Sequence, residues 1–103
     1  MSFLNAEIKK KANIYHDGRV TSRSIVTSAG ENKTLGIMLP GTYHFSTGAP
    51  EVMEINQGRC RVKLAGESAW REYRAGERFD VPGASAFDIE VPELVDYICH
   101  FVK

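Results

Sequence analysis

The chain has 103 residues, enough for one domain and one core but not for two. Lys and Arg together number 13 and Asp and Glu 13, so the formal charge is zero, which argues against a nucleic-acid-binding domain with its usual basic excess. With 43% hydrophobic and 25% charged residues the composition is that of an ordinary globular chain, not a disordered one.

No window approaches the ~20 consecutive apolar residues that a membrane-crossing helix needs. Met1 to Asn13 lacks the continuous apolar stretch of a secretory signal. Two cysteines, Cys60 and Cys99, are too few for a disulfide framework and suit a reducing compartment. Together these features lead to the expectation of a cytoplasmic protein that binds neither membrane nor nucleic acid. The basic run Lys9-Lys10-Lys11 reads as a solvated stretch near the terminus.

Residues 1–14 form a segment of ambiguous character, in which Phe3, Leu4 and Ile8 fit one side of either a short helix or an edge segment. From Tyr15 the chain reads as a single domain over 15–103. Short runs of Val, Ile, Tyr, Phe and Thr alternate there with turn clusters such as His16-Asp17-Gly18, Ala29-Gly30-Glu31-Asn32-Lys33 and Asn56-Gln57-Gly58. Nothing between the clusters accommodates a typical helix of about 11 residues. The pattern is that of an all-β sandwich or barrel.

Strand side chains alternate between faces, so parity assigns orientation. Tyr43 and Phe45 fall on one face of their strand and His44 on the other. In Arg59 to Leu64 the even positions are apolar and the odd ones basic, which turns Arg61 and Lys63 outward. Phe79 and Val81 point inward, as do Phe87, Ile89 and Val91. The last strand sends Val95, Tyr97, Cys99 and Phe101 to one side, with Leu94, Ile98 and Val102 opposite, beside Asp96 and His100. A strand apolar on both faces is covered on both. The expected cover is a second copy, giving a homodimer; a packed N-terminal segment is the alternative.

Between Gly41 and Gly58, a glutamate (Glu51) precedes a hairpin glycine (Gly58) at the spacing of the first cupin motif, and Gly76 and Pro82 resemble the second. The cupin resemblance implies a single-domain, jelly-roll-like β-barrel. The metal-binding histidines of those motifs are replaced: His44 is alone near Glu51, with Ser46 at its partner's place, and Phe87 stands where the second motif carries its histidine. A metal site needs three or four converging ligands, so no metal is expected.

A more specific pattern lies on the same residues. Tyr43-x-Phe45-Ser46-Thr47-x-x-Pro50-Glu51-x-Met53, then Phe79-x-Val81-Pro82-Gly83-x-Ser85-x-Phe87 and Tyr97-x-Cys99, resembles the small bacterial pyrimidine/purine nucleoside phosphorylases of cupin fold. The resemblance covers about Tyr15 to Val102. It implies phosphorolysis of diverse nucleosides to free base and ribose 1-phosphate, with phosphate as co-substrate and no cofactor.

Glu51, inward by parity with Met53 and Ile55, is the expected catalytic carboxylate, poised to steady a cationic sugar; the bland reading pairs it with an arginine. Ser46 and Thr47, ending a strand beside Gly48, are expected to help bind an anion, although such residues often serve only local turn bonding. Tyr43, Phe45, Met53, Phe87 and Tyr97 are expected to line the substrate site, where rings and thioethers stack on any base; taken singly, each is equally readable as core. The phosphate cation is open between Arg19, Arg23 and an arginine of a second subunit. Cys60 and Cys99 read as buried thiols. The competing readings are a metal-dependent cupin enzyme and a metal-free cupin module that binds a small molecule without catalysis.

Overall fold

The computed structural model describes residues 1–102. Eleven strands follow in chain order: β1 (Glu7–Ile8), β2 (Asn13–Tyr15), β3 (Val20–Val26), β4 (Asn32–Met38), β5 (Gly41–Ser46), β6 (Glu51–Gln57), β7 (Arg59–Leu64), β8 (Arg71–Arg74), β9 (Arg78–Val81), β10 (Ala86–Val91) and β11 (Val95–Phe101). All pairings are antiparallel. One sheet runs β1-β3-β4-β11-β6-β9, with β2 also on β3; the other runs β5-β10-β7-β8. The two sheets enclose one core in the jelly-roll-like manner expected from the cupin resemblance, but they do not close into a continuous barrel.

The alternation read from the sequence reflects the observed register. Cys60 and Val62 of β7 are buried while Arg59 and Arg61 are exposed, and Val95, Tyr97 and Cys99 of β11 are buried. Rings dominate one end of the core: Phe45 stacks on Phe87 at 5.6 Å, Phe87 meets Phe79 edge-on at 5.9 Å, and Tyr73 lies against Phe79 at 4.8 Å. Aromatic pairs at such separations add about 0.5–1.5 kcal/mol beyond area burial. Gly58 turns β6 into β7 with φ +87°, and a Cβ there would stand 2.4 Å from the Leu94 carbonyl oxygen, so this hairpin requires glycine.

Two short pieces of the N-terminal segment, Glu7–Ile8 and Asn13–Tyr15, join the larger sheet. β1 lies beside the C-terminal half of β3 and β2 beside its N-terminal half; Ile8 is thus an edge-strand residue, Phe3 and Leu4 lie in no strand, and the segment forms no helix at these positions. Asn32 and Lys33, read as part of a turn, instead begin β4, because Asn32 pairs with Val26 and Lys33 with both Ile25 and His100.

On the outer face of the larger sheet Lys33, His100, Glu54 and Arg78 form a chain of polar contacts. Lys33 Nζ donates to His100 Nδ1 at 2.7 Å, His100 Nε2 donates to Glu54 Oε1 at 2.9 Å, and Arg78 reaches the same oxygen at 3.3 Å. Phe3 lies over Lys33 at 5.8 Å, so the N-terminal segment covers this end of the face. Leu35, Ile37 and Ile98 remain only partly buried beyond it. Among the described residues no helix is long and apolar enough to cross a membrane.

Candidate active site

Between the sheets lies a half-open cavity of about 160 Å³, and its two walls differ in chemistry. The larger sheet contributes Thr34 and Met38 from β4, Glu51 and Met53 from β6, and Tyr97, Cys99 and Phe101 from β11. The smaller sheet contributes Phe45 and Ser46 from β5 and Phe87 from β10. Tyr15, at the end of β2, completes the rim. One wall therefore carries hydroxyls, a thiol and a carboxylate; the other offers stacked rings.

Glu51 enters this space because β6 alternates Glu51, Met53 and Ile55 inward, while Glu54 faces out to His100 and Arg78. Glu51 pairs across the sheet with Phe101 of β11 and Val81 of β9, neither of which supplies charge. Among the described residues it has no ion-pair partner. Burial raises its pKa above the ordinary carboxylate range, and hydrogen bonding with the Cys99 thiol only partly opposes that. The same burial, together with the Glu51 charge, pushes the Cys99 thiol well up, so Cys99 is a neutral donor and not a nucleophile. Cys60 lies in the core with its pKa raised to about 12, mainly by burial.

Of the residues expected at a substrate site, Phe45, Met53, Phe87 and Tyr97 line the cavity, as do Glu51 and Ser46. Tyr43 and Thr47 do not line it. Tyr43 is buried in the core, and its hydroxyl donates to the Leu39 carbonyl at 2.6 Å. The Thr47 hydroxyl donates to the Pro82 carbonyl at 2.7 Å and accepts from the Ser85 N–H at 3.0 Å, so it ties two loops together. The backbone N–H of Thr47 is also occupied, by the Ser85 carbonyl.

Tyr15, Thr34, Met38, Cys99 and Phe101 were not among the expected site residues. Parity placed Cys99 and Phe101 on the inner face, and that was the available signal for them. Thr34 lay next to a presumed turn and carried none. Both Arg19 and Arg23 spend their guanidinium groups elsewhere, on the Pro40 and Lys10 carbonyls. No basic side chain lines the cavity among the described residues. Nor do these residues include any cluster of three or more His, Cys, Asp or Glu placed to hold a metal ion.

Comparison with known proteins decides the family. The family model described as pyrimidine/purine nucleoside phosphorylase matches residues 10–101. The chain belongs to this family. A relative from Cupriavidus pinatubonensis, named pyrimidine/purine nucleoside phosphorylase, is 58% identical over 96% of this chain and 94% of its own. A crystal structure of a protein of unknown function from Acinetobacter sp. ADP1 superposes with a TM-score of 0.95 at 42% identity, covering 98% of both chains. The Clostridium difficile EutQ protein, at 17% identity and a TM-score of 0.67, covers 80% of this chain and 67% of its own and shares the fold alone.

Proposed function

We propose that this member of the family is a nucleoside phosphorylase, a pentosyl-transferring enzyme that converts diverse purine and pyrimidine nucleosides and phosphate to free base and ribose 1-phosphate. The observation that carries the reading is Glu51, an acid without a counter-ion among the described residues, in a cavity whose opposite wall is a stacked pair of rings. Burying such a group is costly unless it meets a partner, and a cationic sugar is such a partner.

In this scheme the base lies against Phe45 and Phe87, and the ribose faces Thr34, Glu51 and Tyr97. A phosphate oxygen attacks the anomeric carbon as the bond to the base nitrogen breaks. The bonding electrons leave with the base, and the proton lost from phosphate ends on it. Glu51 steadies the positive charge that develops on the sugar, and holding the reactants together supplies much of the rate. Rings and thioethers bind a base through its face and read few of its edge groups, which fits tolerance of both base classes. Ser46, at the rim, is the expected contact for phosphate. Thr47 contributes by holding the loop that carries it. The reaction so written uses no metal or cofactor.

We place the protein in the cytoplasm as a homodimer, with no nucleic-acid or membrane partner. The dimer contact is the outer face of the larger sheet, where Leu35, Ile37 and Ile98 are incompletely covered. The test of function is incubation of purified protein with a panel of nucleosides, with and without phosphate, measuring base and ribose 1-phosphate. Base release that depends on phosphate and survives chelation supports the reading; no release from any nucleoside refutes it. A non-catalytic module that binds a small neutral molecule is the second reading, favoured by the lack of a basic side chain among the described cavity-lining residues.

A further inference from the structure

We propose that His16 is a positioning residue of the nucleoside site: a left-handed turn brings its ring onto Phe45, and through Phe45 it sets the surface on which the base stacks. The proposal rests on the phosphorylase reading and deepens it. Tyr15, the last residue of β2, is extended, with φ −125° and ψ 156°. An extended chain sends successive side chains to opposite faces. Yet both neighbours reach the same ring: Tyr15 meets Phe45 edge-on at 6.1 Å, and His16 meets it edge-on at 5.1 Å.

The backbone makes this possible. His16 has φ +50°, Asp17 φ +56° and Gly18 φ +85°, three left-handed residues in a row of which only the last is glycine. Non-glycine residues rarely take such angles, although His and Asp do so more readily than most. Two in succession are strained backbone, of the kind that persists only where its surroundings impose it. Here the surroundings form a closed circuit. The Arg19 N–H donates to the His16 carbonyl at 3.1 Å, and the Arg19 carbonyl accepts from the Leu39 N–H at 2.8 Å. The Arg19 guanidinium donates to the Pro40 carbonyl, so the turn is tied to the corner between β4 and β5. From that corner the Leu39 carbonyl accepts from the Tyr43 hydroxyl at 2.6 Å, and the Tyr43 ring returns to His16 at 5.0 Å.

What the circuit holds is not core. His16 is exposed and does not itself line the cavity, whereas Tyr15, Phe45 and Phe87 do. An exposed side chain on a strained turn adds little to stability, so packing alone does not account for the arrangement. Orientation of a cavity ring does. Aromatic pairs favour particular mutual angles. His16 and Tyr15 on one side and Phe87, stacked at 5.6 Å, on another therefore limit how Phe45 turns at the cavity rim. Tyr43, two residues before Phe45 on the same face of β5, serves the site by holding His16.

The test compares steady-state kinetics of wild type, His16→Asn, Phe45→Ala and the double variant, varying uridine and inorganic phosphate in turn, alongside thermal melts. Asparagine accepts left-handed angles and has no ring, so His16→Asn removes the aromatic contact and keeps the turn. It is expected to melt as wild type does and to leave kcat and the KM for phosphate unchanged. Its KM for uridine is expected to rise by about fivefold, the scale of one aromatic pair. In the Phe45→Ala background the same change is expected to add nothing, because its route to the base is gone. A wild-type KM for uridine in His16→Asn, or a double variant whose loss is the product of the two single losses, overturns the positioning role and leaves the phosphorylase reading intact. A rise in the KM for phosphate overturns it too, by making His16 a direct phosphate contact. So does a melt well below that of wild type, which makes the residue a structural support. A wild-type protein that releases no base overturns both readings.

Discussion

Glu51 and Glu54 stand three residues apart on β6 and meet opposite surroundings. Glu54, on the outer face, accepts from His100 at 2.9 Å and lies 3.3 Å from an Arg78 nitrogen. Glu51, on the inner face, has among the described residues a thiol and apolar neighbours in place of cations, and burial raises its pKa. An odd separation along a strand suffices to divide one pair of like residues into a surface ion pair and a desolvated acid.

Glu51→Gln keeps the shape and removes the charge. In the nucleoside assay it is expected to lower kcat by at least ~100-fold, the scale of one electrostatic contact to a developing charge. Wild-type turnover in this variant would take Glu51 out of the mechanism.

The raised pKa also fixes a sign for pH dependence. Below the ordinary carboxylate pKa of 4.5, Glu51 is neutral in folded and unfolded chains alike and costs nothing. As pH rises through that value the unfolded chain ionises first, and stability falls until the folded group ionises as well; above its raised folded pKa the cost is constant. Glu51→Gln is therefore expected to remove a decline in stability that begins near pH 4.5, read by chemical denaturation across pH 4–8. In activity, kcat/KM of wild type is expected to fall on acidification around a midpoint above the usual carboxylate range, because the mechanism needs the ionised form. A midpoint below it contradicts the assignment.

Phe45 and Phe87 separate wall from core. Phe87 is 2% exposed and packs between Phe45 and Phe79. Phe87→Ala is expected to lose about 3–5 kcal/mol of stability, the usual result of truncating a buried ring. Phe45 is only partly buried at the cavity rim. Phe45→Ala is expected to raise KM by about tenfold for purine and pyrimidine nucleosides alike, since base stacking contributes ~1–3 kcal/mol whatever the base. An effect confined to one base class counts against stacking as the binding mode.

These residues show how far the chain could be read without coordinates. Where inward positions are large and apolar and outward ones charged, as in Arg59 to Leu64 or Ala86 to Val91, orientation follows from period alone. The inner face of β3 was opaque because Ser22 and Ser24 follow Val20 there and erase the contrast. Thr34 was hidden by an apparent turn that becomes a strand only when β11 and β3 pair with it. Tyr43 and Phe45 share a face but not a role: two residues of rise place one against Leu39 and the other at the cavity. That distinction depends on where the sheets part, which no local pattern encodes.

Thr47 bridges the loops before β6 and before β10 by two hydrogen bonds from a buried hydroxyl. Thr47→Val keeps the volume and leaves the Pro82 carbonyl and the Ser85 N–H without that partner. A stability loss of about 1–3 kcal/mol is expected from thermal or denaturant melts. A large fall in kcat at unchanged stability would instead place this hydroxyl in direct contact with substrate.

The outer face of the larger sheet tests the homodimer. The N-terminal segment covers its Lys33 end through Phe3, but Leu35, Ile37 and Ile98 share a central stretch of β4 and β11 that it leaves partly open. Ile98 pairs directly with Leu35, so a single charge at Ile98 disturbs both strands' outer side chains. Facing outward, that charge remains hydrated in a monomer and is desolvated only in a dimer that uses this face. Ile98→Lys is therefore expected to shift sedimentation at micromolar protein from dimer to monomer while leaving the monomer folded. A wild type that sediments as a monomer refutes the dimer, and a variant that remains fully dimeric moves the contact to another face.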